Sequence, residues 1–190
     1  MKDIRVLFLA ATLLGAATHP APAGPVDVEI VTTLGMIVVR LDSAKAPKTT
    51  ANFLGYVAAK TYDGTSFYRT VSKKNEPQAP FEVIQGGPSA RGATGNIPIE
   101  LEPTSASGLH NADGAIAMAR RNDPNSATTE FFLDIGDARY LDAGGPLGSG
   151  YAVFGHVVRG MEVVRKIHDA PSHGEALLPP VRIKTMRRVR

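Results

Sequence analysis

Apolar and polar positions alternate in two short runs near the start of the chain, Val28 to Thr32 and Met36 to Leu41, both rich in β-branched residues. A period of two marks a half-buried strand. Thr33-Leu34-Gly35 separates the runs, so the pair reads as a hairpin with glycine supplying positive φ in its turn. From Ser43 to Lys60 the period lengthens, and Phe53, Leu54, Val57 and Ala58 recur at helical spacing. Asp42 or Ser43 can cap that helix. Pro47 suits its first turn, where a missing N–H costs nothing, and Asp63-Gly64 closes it. Six short apolar segments follow: Ser66 to Val71, Glu82 to Gln85, Ile97 to Leu101, Ala115 to Ala119, Phe131 to Ile135 and Val153 to Val158. Gly, Pro, Asn and Asp clusters divide them. A second helix is expected at Met161 to His168, and Val181, Ile183 and Thr185 alternate with charged residues in a last strand. Many short strands with two helices indicate a mainly β fold, a closed antiparallel barrel. Periodicity does not order the strands around it.

The first 23 residues stand outside this pattern. Met1-Lys2-Asp3-Ile4-Arg5 gives a short basic start, Val6 to Ala17 is an unbroken apolar run, and Ala21 and Ala23 form an A-x-A site. That combination reads as a secretory signal peptide, residues 1–23, followed by one domain over residues 24–190. A run of this length is too short for a membrane-spanning helix, which needs about 20 apolar residues. The mature chain is therefore expected to be exported, periplasmic or secreted, and to have no membrane association after cleavage.

Composition changes the picture mainly by exclusion. With 190 residues, 43% of them hydrophobic and 21% charged, the chain can bury the core of one domain. It has no cysteine, which removes disulfides, thiolate metal ligands and a thiol nucleophile. A net charge of +3 is too small to argue for nucleic acid, and Arg187, Arg188 and Arg190 read as a solvated tail. The five histidines show no metal-ligand spacing. No G-x-S-x-G elbow, dinucleotide fingerprint or Walker lysine is present. Glu100 and Glu102 would share one face of a strand, which is more often an exposed face than a glycosidase pair.

Four segments gain meaning from their order. They are Phe67-Tyr68-Arg69; Val83-Ile84-Gln85-Gly86-Gly87; Gly114 to Ala119 through Glu130-Phe131-Phe132-Leu133; and Tyr151-Ala152-Val153-Phe154-Gly155. With Ala46-Pro47-Lys48-Thr49 and Asn52-Phe53 before them, they resemble the cyclophilin family of peptidyl-prolyl cis-trans isomerases over about Val28 to Met186. The leader and Tyr151 are similar to its exported bacterial branch. The resemblance implies an eight-stranded antiparallel barrel closed by two helices, with an active groove outside the barrel, no cofactor, and a monomer that binds proline-containing peptides and unfolded proteins. It also implies roles: Arg69 as the catalytic arginine and Gln85 as the residue that orients it. Val83, Phe132 and Leu141 would line a proline slot, and Ala119 and Arg120 would run beside the peptide.

The chemistry suits those residue types. Rotation about an X–Pro bond breaks amide resonance, and the twisted prolyl nitrogen gains a lone pair. A fixed donor at that nitrogen stabilises the twisted state more than either planar one. No nucleophile, general base or metal is needed. Several positions depart from the family pattern. Thr70 to Ile84 is longer than the usual link by about eight residues, and either Phe81 or Glu82 stands where an aromatic is usual. Glu130 replaces a glutamine; it could hold substrate N–H groups, pair with Arg69 or Arg120, or divert Arg69. Tyr140 replaces a tryptophan, so weak cyclosporin binding is expected, and Tyr151 replaces a groove histidine. The expected function is isomerisation of X–Pro bonds in extended or unfolded chains after export. The alternative is a proline-peptide-binding chaperone or adaptor with weak or no catalysis.

Overall fold

The computed structural model describes residues 24–88 and 96–189, so the expected signal peptide lies outside the described residues. Strands β1 (Val26–Thr32) and β2 (Met36–Leu41) form the expected hairpin. Gly35 at its turn has φ 142°, and an added Cβ would meet Val163 at 2.7 Å, so its lack of a side chain serves packing as well as the turn. Helix α1 (Pro47–Ala58) precedes β3 (Ser66–Val71) and β4 (Glu82–Gly87). After α2 (Thr104–Ser107) come β5 (Ala115–Met118), β6 (Phe131–Ile135) and β7 (Val153–Arg159). Helix α3 (Met161–His168), β8 (Ser172–His173) and β9 (Ala176–Arg188) complete the chain.

Eight strands close in the order β1-β2-β7-β5-β6-β4-β3-β9, with β1 paired to β9. Each pairing around the ring is antiparallel. Closure leaves the ring without an unpaired edge. Alternation along each strand fills the interior: Ile30, Val39, Phe67, Ile84, Ile116, Phe131 and Leu133 are all fully buried there. Helices α1 and α3 add Phe53, Val57, Val164 and Ile167 to the same cluster. Phe131 sits at its centre, with the rings of Phe53, Tyr62 and Phe67 each 5.6 Å away and edge-on. Such pairs contribute about 0.5–1.5 kcal/mol each beyond their buried area.

Several expectations from the sequence are corrected. Neither Asp42 nor Ser43 caps α1: Ala46 is the N-cap, and the Ser43 hydroxyl donates to the Gly24 carbonyl at 2.8 Å. The orphan amides of Lys48 and Thr49 donate instead to the Glu102 carboxylate, at 3.0 and 2.8 Å. A negative group at a helix N-terminus satisfies both the donors and the helix dipole. Ile97 to Leu101 is not a strand, because only Ile99 bridges, to Ala127. Glu100 pairs with Lys48 while Glu102 serves α1, so the two carboxylates do not act as one face. Among the described residues there are three α-helices rather than two, the extra one being the four-residue α2.

Candidate active site

The site is built by a single extra residue in β3. Phe67 pairs with Gly86 and Arg69 with Gln85, so Tyr68 is a bulge opposite no partner. In a regular strand Phe67 and Arg69 would share a face. The bulge sends Phe67 into the barrel, where Gly86 leaves room for its ring, and turns Arg69 outward. Val71, Val83 and Phe132 share that outer face and form a second apolar cluster with Leu141, Val153 and Ala117.

Above this cluster lies a groove of about 500 Å³. Val83, Phe132 and Leu141, all at most 5% exposed, give it an apolar floor. Phe131 and Phe132 diverge as consecutive strand residues should, one into the core and one onto the groove wall. Tyr151 stands edge-on to Phe132 at 5.3 Å. Phe81 also lines the groove, whereas Glu82 turns aside to accept from the Lys73 amide and to approach His168 at 3.3 Å. Of the two, Phe81 is the one that faces the groove. Tyr140 does not line the groove; it stacks behind Phe81 at 6.1 Å between ring centres.

Arg69 lines the same groove and is one-third exposed. Its Nη1 donates to Gln85 Oε1 at 2.8 Å, and its Nε donates to Glu175 Oε2 at 2.6 Å. Among the described residues Nη2 makes no hydrogen bond, so the guanidinium is held at two corners with donors still uncommitted. Gln85 spends its own N–H groups on the Tyr68 hydroxyl at 2.8 Å and on Glu130 at 3.3 Å. Glu130 thus joins the Gln85–Tyr68 network. Burial raises the Tyr68 pKa, and the neighbouring Glu130 charge raises it further, so the phenol stays a donor.

Among the described residues Arg120 bonds to carbonyls rather than to a carboxylate. It donates to the Gly150 carbonyl at 2.8 Å and lies over the Tyr151 ring at 4.8 Å, a cation–π contact. The Ala119 N–H donates to the Glu130 carbonyl at 2.9 Å. Helix α1 supports the far wall through Asn52, which donates to the Thr128 carbonyl at 2.7 Å, and buried Tyr62 in the turn after the helix donates to the Thr129 carbonyl at 2.9 Å. Sequence reasoning missed Glu175 and the Tyr68 bulge. Glu175 is 106 residues from Arg69 and comes beside it only through the Arg69–Ala176 register of β3 and β9. No local pattern signals that register.

Below the groove, on the outer face of β6, Asp134 is fully buried opposite Val83. Neither carboxylate oxygen has a hydrogen-bond partner among the described residues. Burial pushes its pKa well up, and the nearby Asp142 charge adds to this. Asp142 is also penalised by burial, but bonds from Asn111 and His110 outweigh that and hold its pKa down. With a folded-state pKa above the unfolded one, Asp134 favours folding below about pH 4. That contribution is lost as pH rises through the raised value. Asp134→Asn is thus expected to raise Tm by about 3 °C at pH 8, with the gain shrinking towards pH 4. Thermal melts of both forms from pH 4 to 9 check this. Parallel pH profiles would reject it.

A closed antiparallel barrel with a packed interior carries an external groove, in which a tethered guanidinium stands beside an apolar floor. The sequence model of the family described as "Cyclophilin type peptidyl-prolyl cis-trans isomerase/CLD" matches residues 26–188. A peptidyl-prolyl cis-trans isomerase of Streptomyces antibioticus is 39% identical over 170 residues, covering 84% of this chain and 96% of the relative. Peptidyl-prolyl cis-trans isomerase A of Dickeya dadantii is 37% identical over 169 residues, covering 86% and 83%. Peptidyl-prolyl cis-trans isomerase B of Escherichia coli is 38% identical over 141 residues, covering 72% and 80%. In fold, a Cryptosporidium parvum cyclophilin type isomerase superposes with a TM-score of 0.72 at 22% identity, covering 87% of this chain and 98% of its own. The same protein was also solved in the presence of the dipeptide Ala-Pro. The chain belongs to the cyclophilin-type peptidyl-prolyl cis-trans isomerase family, and peptidyl-prolyl cis-trans isomerisation is its activity.

Proposed function

We propose that this isomerase acts after export, on X–Pro bonds in extended or unfolded polypeptides, with Arg69 as its transition-state donor. The observation that carries the reading is a guanidinium fixed by Gln85 at the edge of the Phe132–Leu141–Val83 floor, with donors uncommitted. The proline ring rests on that floor, its nitrogen facing Arg69. As the amide twists, conjugation is lost and the nitrogen becomes a hydrogen-bond acceptor that neither planar isomer presents. Arg69, permanently charged and already oriented, meets that acceptor without reorganisation. Gln85 holds the guanidinium, and the groove around Phe81, Ala119, Arg120 and Tyr151 receives the flanking residues.

Cis/trans exchange of a short X–Pro peptide, followed by NMR line broadening, tests the chemistry. Micromolar protein should raise the exchange rate by orders of magnitude over the uncatalysed reaction, which takes tens of seconds. Binding of the peptide without faster exchange would instead select the chaperone or adaptor reading.

Export is supported by the basic start, the apolar run from Val6 to Ala17 and the Ala21-x-Ala23 site. In this reading the protein works as a monomer on newly translocated chains. Among the described residues no helix is long and apolar enough to cross a membrane. Cell fractionation with N-terminal sequencing decides the point: a product outside the cytoplasm beginning at Gly24 is expected, and an intact Met1 start in the cytoplasm would overturn it.

A further inference from the structure

Arg69 is held by a second side chain besides Gln85. Glu175 sits in the short turn between β8 and β9, far along the chain from every segment that marks the groove. Its carboxylate takes the Nε of Arg69 at 2.6 Å, while Gln85 takes Nη1. A guanidinium is planar, so acceptors at two of its three nitrogens fix both its position and its plane.

The turn carrying Glu175 is itself fixed from two sides. The Thr70 amide donates to the Glu175 carbonyl at 2.8 Å, and Arg69 pairs with Ala176 in the sheet. The extra segment after β3 braces the other side. Asn75 Nδ2 donates to the Gly174 carbonyl at 3.0 Å and to the Thr70 carbonyl at 2.9 Å, and Asn75 Oδ1 accepts from the Ser72 amide at 2.8 Å. Lys74 forms an ion pair with Asp169, just after α3. The insertion ties the β8–β9 turn to the strand that bears Arg69.

From this geometry we infer that Glu175 is a positioning residue for Arg69, and that the insertion after β3 acts through Asn75 to hold it there. The inference rests on Arg69 being the donor in catalysis. Glu175 is not among the residues that line the groove. Its effect is to keep the guanidinium from turning into solvent, so that its remaining donors stay aimed across the groove. The competing possibility is that Glu175 withdraws Arg69 from substrate. The two differ in sign.

The test measures X–Pro exchange for the native chain, Glu175→Ala and Glu175→Gln, each also in an Arg69→Ala background. Peptide affinity and Tm are recorded for each. Glu175→Ala should lower kcat about tenfold while peptide affinity changes less than about twofold. Glu175→Gln keeps an acceptor oxygen and should stay within about threefold of the native rate. In the Arg69→Ala background, Glu175→Ala should add no further loss, since two residues acting through one group are not additive. The Arg69 Nε–H NMR resonance should be distinct in the native chain and averaged with solvent in Glu175→Ala. A Glu175→Ala rate equal to or above the native one overturns the inference, as does a full penalty persisting without Arg69. If the native chain gives no exchange at all, the isomerase mechanism fails, and the Nε resonance alone decides whether Glu175 holds Arg69.

Discussion

Arg69→Ala is expected to lower kcat/KM for X–Pro exchange by about a hundredfold, near 2.7 kcal/mol of transition-state stabilisation. The ground for this size is that one preorganised donor in a partly enclosed site typically contributes two to three orders of magnitude. Stability should hardly change. The side chain is one-third exposed, its partner Glu175 is 39% exposed, and an ion pair so open to water contributes little. Tm should stay within about 2 °C of the native value. Arg69→Lys is not a rescue, because an ammonium cannot satisfy Gln85, Glu175 and a prolyl nitrogen in one plane. NMR exchange rates and thermal melts on the same samples check both halves. A variant retaining a third or more of the native rate would remove Arg69 from the mechanism, and the groove would act through shape alone.

What the sequence makes legible, and what it hides, follows the range of the interactions involved. The strands Met36–Leu41, Ser66–Val71 and Phe131–Ile135 and the helix Met161–His168 have the bounds expected from periodicity. Their patterns are local, and burial inside the barrel acts on each in the same direction as propensity. Ile97 to Leu101 has the composition of a strand but no neighbour to complete a ladder beyond the Ile99–Ala127 bridge. Its two glutamates are drawn to α1 instead, a contact spanning more than fifty residues. The candidate site divides in the same way. Arg69, Gln85 and Phe132 are marked by their neighbours in the chain. Nothing near Glu175 marks it, since its place beside Arg69 depends on the pairing of β3 with β9. The sequence does not distinguish Phe81 from Glu82 because the insertion blurs the register there. The β4–β6 ladder, pairing Glu82 with Ile135 and Val83 with Asp134, fixes it.

Gly155→Ala is expected to damage the barrel strongly for a change of one methyl group. Gly155 pairs with Leu41 on one side and with Ile116 on the other, where β7 lies between β2 and β5. A Cβ there would meet the Arg40 carbonyl oxygen at 2.3 Å and the Leu41 Cα at 3.0 Å. Both obstacles are backbone in a closed ring, so relief requires the strands to part, which weakens the ladders on either side. A loss of about 3 kcal/mol is expected, or a fall in Tm of roughly 6–12 °C for a chain of this size. Gly55 supplies the contrast. It lies on the exposed side of α1 with nothing within 4 Å of an added Cβ. Gly55→Ala should therefore stabilise by about 0.5–1 kcal/mol through helix propensity and a smaller unfolded-state entropy. Chemical denaturation of the two variants beside the native chain measures the difference directly. Equal shifts of the same sign would mean that β2 and β7 do not approach as closely as the ring requires. The groove floor would feel that change, since Val153 on β7 packs in the cluster beneath Phe132.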